Sequence, residues 1–286
     1  MQHGPAVRRR KLGAELRALR TAAGLTSGDA ARLAGWHQSK VSRIETGTSG
    51  TKPADVRLLL DVYGVDDPQL RELLLVLSGT GDGDGRHHWW HAYRGVLPPT
   101  YRDFISLESQ ASAMRTLETA VVPGLLQTPE YARAVTEAAL EGASEERLDA
   151  LVEVRLARQD VLRAEPPLEL WAVLDEAVLR REVGGPEVMA RQLNRLVEAS
   201  RLPQVRLQVM PFSAGAHIGV TGPFVIFSFP RTSDLDVVVH DHLTTSHYLE
   251  RKEDLRAYSE AFEALASHAL SPEESSEFIA GAAAGA

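Results

Sequence analysis

The sequence predicts a two-domain protein: an N-terminal all-α bundle of five helices built around a helix-turn-helix, then a C-terminal α+β domain with about four strands. Three observations carry this. Leu25 to Gly47 reads as two short helices joined through a glycine. The hydrophobic period changes from helical to alternating at residue 168. Between the two regions lies GTGDGDG over 79–85, an acidic, glycine-rich run with no hydrophobic residue. The expected boundaries are 1–78 for the head, 79–86 for a flexible linker and 87–280 for the body.

The first element is a helix after the basic run Arg8, Arg9, Arg10 and Lys11, with Leu12, Leu16 and Leu19 as its apolar stripe. Thr26 caps the second helix, which carries Ala30, Ala31, Leu33 and Ala34 and ends at Gly35. The third has Val41 and Ile44 on one side and Gln38, Ser39, Lys40, Ser42 and Arg43 on the other, and Gly47 closes it. Val41, Ile44, Leu33 and Trp36 are expected in the core, and Glu45 is expected to pair with a basic residue of the first helix. Pro53 opens the fourth helix with Thr51 as its candidate cap, and QLRELLLVL is the fifth.

In the body, RHHWWHAYRGVLP reads as a helix stopped by Pro98-Pro99, and YRDFISLESQASAMRTLETAVVPGLLQ as a helix followed by an extended segment that ends at Val121-Val122-Pro123-Gly124. Thr128 and Pro129 start a helix, and Ser144 caps one expected over about 145–164. LELWAVLD, VRLQVMPF, GPFVIFSF and LDVVVHDH are the four expected strands. PEVMARQLNRLVEAS and 250–270 are helices, and Ser271-Pro272 starts a last one.

Composition narrows the function. The 286 residues are 44% apolar, enough for a real core. With no cysteine there is no disulfide framework, thiol nucleophile or thiolate metal site. The start lacks the apolar segment of a secretory signal, and no apolar run reaches the roughly 20 residues a membrane span needs. The expectation is a soluble cytoplasmic protein. Net charge is −8, but residues 1–60 hold eleven Lys/Arg against four Asp/Glu, a balance of +7, leaving −15 on the remainder. A basic head favours a polyanion, and an acidic body discourages stray adsorption to it. Beside a helix-turn-helix, Arg8, Arg9 and Arg10 are candidate phosphate contacts. The 79–85 run lacks the Lys-Ser/Thr ending of a P-loop and the ligand spacing of an EF-hand.

Residues 12–63, LGAELRALRTAAGLTSGDAARLAGWHQSKVSRIETG through PADVRLLLDVYGV, resemble the helix-turn-helix domain of the XRE family, which includes phage repressors. Residues 89–279 resemble the DUF5753 domain that follows such a head in actinobacterial regulators of an antitoxin-type group. WWHAYRGVLPPTYRDFISLE, TAVVPGLLQTPEYARA, RLARQDVLRAEPPLELWAVLDEAVLRREVGGPEVMARQLNRL, VRLQVMPFSAGAHIGVTGPFVIFSF and ALSPEESSEFI carry that resemblance. It implies a sequence-specific regulator of a double-stranded DNA operator, bound by a small DUF397-type protein that alters its DNA affinity. It also implies a homodimer, because such heads read half-sites about one DNA turn apart.

The family's docking mode lays the third helix in the major groove, which puts Gln38, Ser39 and Arg43 where bases are read. Gln pairs bidentately with adenine and Arg with guanine, each worth about 1–3 kcal/mol of discrimination. Lys40 and Ser42 fall at phosphates or the groove edge, and Thr46, Thr51 and Lys52 where a loop meets the backbone. Ser27 stands where the family carries a phosphate-bonding Gln, and Val239-His240-Asp241 where the body usually reads Tyr-x-Glu.

No cofactor, metal or catalytic residue is expected. His87-His88-x-x-His91 and His240, His242 and His247 have partial metal-ligand spacing, but neither group shows three or four convergent ligands. Glu108, Asp175 and Glu176 sit near element ends, yet no nucleophile elbow, His-Glu-x-x-His or dinucleotide fingerprint accompanies them. Two other readings stay open: an antitoxin-like protein that mainly sequesters a small partner, with VVPGLLQTPEYA as its contact, or a small-molecule sensor with a pocket lined by Trp89, Trp90, Trp171, Phe224 and Phe227.

Overall fold

The structure is a computed structural model that describes residues 4–78, 89–93, 95–229, 236–242 and 245–285, without the side chains of 4–11, 76, 91 and 99. The expected linker at 79–86 lies outside the described residues. Chain contacts divide the protein into two compact units, Met1–Trp89 and Trp90–Ala286.

The first unit contains α1 (Gly4–Ala22), α2 (Ser27–Ala34), α3 (Gln38–Glu45), α4 (Pro53–Val62) and α5 (Pro68–Leu77). Thr26 caps α2 in a reciprocal capping box with Asp29, and Gly35 closes it in the left-handed conformation that a side chain would disfavour. Leu12, Leu16, Ala31, Val41, Ile44, Val56, Leu59 and Leu74 bury together. Two expectations fail here. Leu33 points out at 54% exposure, because only the Ala30 and Ala31 side of α2 faces the bundle. Lys52, not Thr51, occupies the cap position of α4, and no side chain bonds there because the lysine ammonium has no acceptor to offer the first-turn N–H groups.

The second unit is built on one mixed sheet of six strands, not about four: β1 (Ala113–Glu118), β2 (Glu169–Asp175), β3 (Val205–Met210), β4 (Phe224–Ser228), β5 (Val237–Asp241) and β6 (Ser246–Leu249), in the order β3-β2-β1-β4-β5-β6. β1, β2 and β3 run parallel, while β4, β5 and β6 form an antiparallel meander joined to β1. The two strands beyond the expected four are β1 and β6. AMRTLE is weak in β-branched content, and SHYL is short and polar; tertiary pairing makes them strands.

The helices of this unit are α6 (Pro99–Glu108), α7 (Pro129–Ala139), α8 (Glu145–Ala157), α9 (Glu176–Arg180), α10 (Pro186–Ala199), α11 (Lys252–His268) and α12 (Pro272–Ala284). The helix count therefore also differs from the sequence pattern. Trp89–Tyr93 is a 3-10 segment, and the expected helix over 145–164 leaves α-geometry at Ala157 for a 3-10 segment, Arg158–Leu162. Helix α11 covers one sheet face, where Phe262 and Leu265 meet Leu117, Val173, Phe224 and Ile226. On the opposite face Phe104 of α6 meets Phe227 edge-on at 5.2 Å. The outer edge of β3 is closed by the start of α12: Val209 N donates to Ser275 Oγ at 2.8 Å and Leu270 N to Val209 O at 2.9 Å.

Candidate nucleic-acid interface

Helix α3 has two sides with opposite tasks. Val41, Ile44 and Glu45 are buried, while Gln38, Ser39, Ser42 and Arg43 are exposed on the other side and Lys40 is half-buried at its margin. The buried side is locked by charge as well as packing. Arg20 of α1 donates through Nε to Glu45 Oε1 at 2.7 Å and through Nη2 to Oε2 at 3.1 Å, and its Nη1 reaches Leu25 O at 2.6 Å. Tyr63, after α4, donates to Glu45 Oε1 at 3.4 Å. The hydrogen bond with Glu45 raises the Arg20 pKa despite burial, and burial followed by the Glu45 charge raises that of Tyr63. Glu45 thus pairs with the first helix as its sequence position suggested. Gly13 completes the seat: a Cβ there would lie 2.5 Å from the carbonyl oxygens of Ile44 and Glu45, so α1 approaches the end of α3 backbone to backbone.

On the exposed side Gln38 Nε2 donates to Ser27 Oγ at 2.9 Å, joining the starts of α3 and α2. Arg43 bends along its own helix, Nε to Ser39 O at 3.3 Å. Thr46 donates to Ser42 O at 2.9 Å and Thr48 to Arg43 O at 3.2 Å, satisfying carbonyls at the end of α3. Lys40 pairs with Asp55 Oδ1 of α4 at 2.9 Å and sits 3.6 Å from the ring centroid of Trp36, which is half-buried rather than core. Thr51 is half-buried and Lys52 exposed in the segment before α4. Arg8, Arg9 and Arg10 fall within α1, but their side chains lie outside the described residues. The Lys40 tie and the Gly13 contact were not legible in sequence, because each needs the angle between helices.

In the body, the carboxylates considered for catalysis are held in structural roles. Glu108 forms a bidentate pair with Arg158 at 2.8 and 2.7 Å, and Arg158 Nη1 donates to Tyr101 OH at 2.7 Å. Asp175 accepts from Ala177 N at 2.8 Å as the cap of α9. Glu176 pairs with Arg180 at 3.0 Å and accepts from Phe212 N at 2.9 Å.

The bend of VVPGLLQTPEYA is not a surface: Leu125 and Leu126 are fully buried, and Gln192 holds the turn through Leu126 O at 2.8 Å and Thr128 N at 2.7 Å. Trp90, Phe224 and Phe227 are likewise core residues. His87 and His88 lie outside the described residues. His240 packs on Tyr258 at 4.8 Å, and burial lowers its pKa. Among the described residues no three His, Asp or Glu side chains are grouped as metal ligands, and no helix is long and apolar enough to cross a membrane.

Glu118, at the end of β1, has its pKa pushed up to about 7, chiefly by burial, which the Thr116 hydroxyl at 3.2 Å partly offsets. Nearby Arg155 is lowered by burial and donates to the neutral Gln127 Oε1 at 3.0 Å.

Residues 11–74 match a family model described as a helix-turn-helix domain, and residues 101–281 match one described as a domain of unknown function, DUF5753. No curated protein and no solved structure matches the chain.

Proposed function

The chain belongs to the DUF5753 family and carries a helix-turn-helix head, and from this we propose that it is a transcriptional regulator that reads an operator with α3. The observation that carries the reading is the exposed row Gln38, Ser39, Ser42 and Arg43 on a helix whose other side is fixed by Glu45, Arg20 and Tyr63. Gln38, Ser39 and Arg43 are the base-reading residues. Ser27, Lys40, Ser42, Thr46, Thr51, Lys52, Arg8, Arg9 and Arg10 serve the phosphates, with Lys40 exchanging Asp55 for DNA.

The body binds a small DUF397-type protein and holds a homodimer, with the acidic 79–86 run as the linker. The division into two units and the opposite charges of head and body support that arrangement. An operator selected from random DNA, followed by anisotropy titrations, tests the head. Arg43→Ala lowers operator affinity about tenfold or more and random-DNA affinity far less; equal losses make Arg43 a phosphate contact. Co-purification at micromolar concentration tests the partner, and failure to associate refutes it.

A further inference from the structure

The body carries a groove that none of these roles uses. β1, β2 and β3 pair in register so that Arg115, Trp171 and Arg206 form one row across the sheet, on the face covered by α11. With strands about 4.8 Å apart, the two arginines start roughly 9.6 Å from each other with the indole between them.

Trp171 is fixed. Its Nε1 donates to Gln208 Oε1 at 2.8 Å, and Phe262 meets the ring edge-on at 5.1 Å. The Arg206 guanidinium lies 3.9 Å from the ring centroid, stacked rather than ion-paired. Arg115 donates to Ser259 Oγ at 3.1 Å, and its nearest carboxylate is Glu263 at 3.5 Å. Glu263 is itself 60% exposed, so that pair gains little. Among the described residues Arg206 forms no ion pair with a carboxylate. The row lines a cavity of about 520 Å³ together with Pro203, Gln204, Glu169 and Glu263, a volume suited to a small metabolite, in which the two arginines balance the two carboxylates.

We propose that this groove binds a small organic anion, its carboxylate or phosphate head bridging Arg206 and Arg115 across the edge of Trp171 and its apolar body against the indole and Pro203. Guanidinium forks match the planar carboxylate and the phosphate oxygens, and a stacked arginine is already oriented to present its edge. Trp171 acts as the spacer that keeps the two forks apart. Glu263 occupies Arg115 until the ligand displaces it.

Titration of the full chain with benzoate and phenyl phosphate, followed by ligand-observed NMR, tests the site; benzyl alcohol serves as the uncharged analogue. Saturable binding of at least one anion with a dissociation constant of about 1 mM or tighter is expected, and the tighter of the two identifies the head group. Arg206→Ala, at an exposed position, weakens it about tenfold. Glu263→Gln tightens it severalfold by freeing Arg115, a gain that damaged folding does not produce. Benzyl alcohol binding as well as the anions, an unchanged constant in R206A, or an unchanged or weaker one in E263Q overturns the proposal, as does absence of saturation by either anion at about 10 mM.

Discussion

The head and the body each contain a buried arginine gripped by a glutamate, with a tyrosine attached: Arg20 with Glu45 and Tyr63, and Arg158 with Glu108 and Tyr101. The chemistry is the same and the surroundings differ. In the head the tyrosine donates to the carboxylate, and the remaining arginine donor goes to a backbone carbonyl. In the body the arginine donates to the tyrosine, and further buried charge lies nearby in Arg155 and Glu118. The head's lock holds a reading surface in place using groups that are all partnered. The body's lock anchors α6 to the segment after α8 beside a carboxylate whose pKa burial raises to about 7.

Breaking each lock separates these roles. Glu108→Ala leaves Arg158 buried with only the neutral Tyr101 hydroxyl and with Arg155 close by, so the body loses about 3–5 kcal/mol, read as a lowered denaturation midpoint. Glu45→Ala costs less, about 2–3 kcal/mol, because Arg20 keeps Leu25 O and, among the described residues, has no second arginine beside it; operator affinity falls with it as α3 loosens. A smaller loss for Glu108→Ala than for Glu45→Ala reverses the comparison.

Glu118 sharpens it in the other direction. Its folded pKa of about 7 lies above the ordinary carboxylate value of 4.5, so between those values the native state holds more protons than the unfolded chain. Stability contributed at this site is therefore present at low pH and is lost as pH rises through 7, by up to about 3 kcal/mol. Glu118→Gln removes the charge while keeping an acceptor for Thr116. The variant is expected to be about 1–3 kcal/mol more stable at pH 8 and equal to the parent at pH 4. Equal stability at both pH values denies the buried charge. The smallest effect is Lys40→Met, which gives up a partly exposed ion pair and a stacked cation for about 0.5–1 kcal/mol.

What was legible in the sequence follows from how local each feature is. The Thr26 cap, the glycine after α2, Pro53 at the start of α4 and the two-sided pattern of α3 follow short-range rules, and they place the candidate reading surface. The Glu45 pairing was readable because an acidic residue on the buried side of a helix demands a cation. The sequence of β1 shows an extended segment without the period of a strand. Arg115 and Thr116 mask its period, and its place beside both β2 and β4 comes from long-range pairing. Leu33 faces solvent although its spacing is helical, because the small Ala30 and Ala31 side of α2 meets the core instead. The Arg115–Trp171–Arg206 row joins positions far apart in sequence, and only the register of three strands reveals it.

The central claim is that α3 reads base identity from a surface held rigid behind it. Its most direct measurement is the ratio of operator to random-DNA affinity for the parent and for Arg43→Ala at matched salt concentration. The account predicts that the ratio collapses by about tenfold or more while the denaturation midpoint stays within about 0.5 kcal/mol of the parent. An unchanged ratio, with both affinities reduced alike, would contradict it.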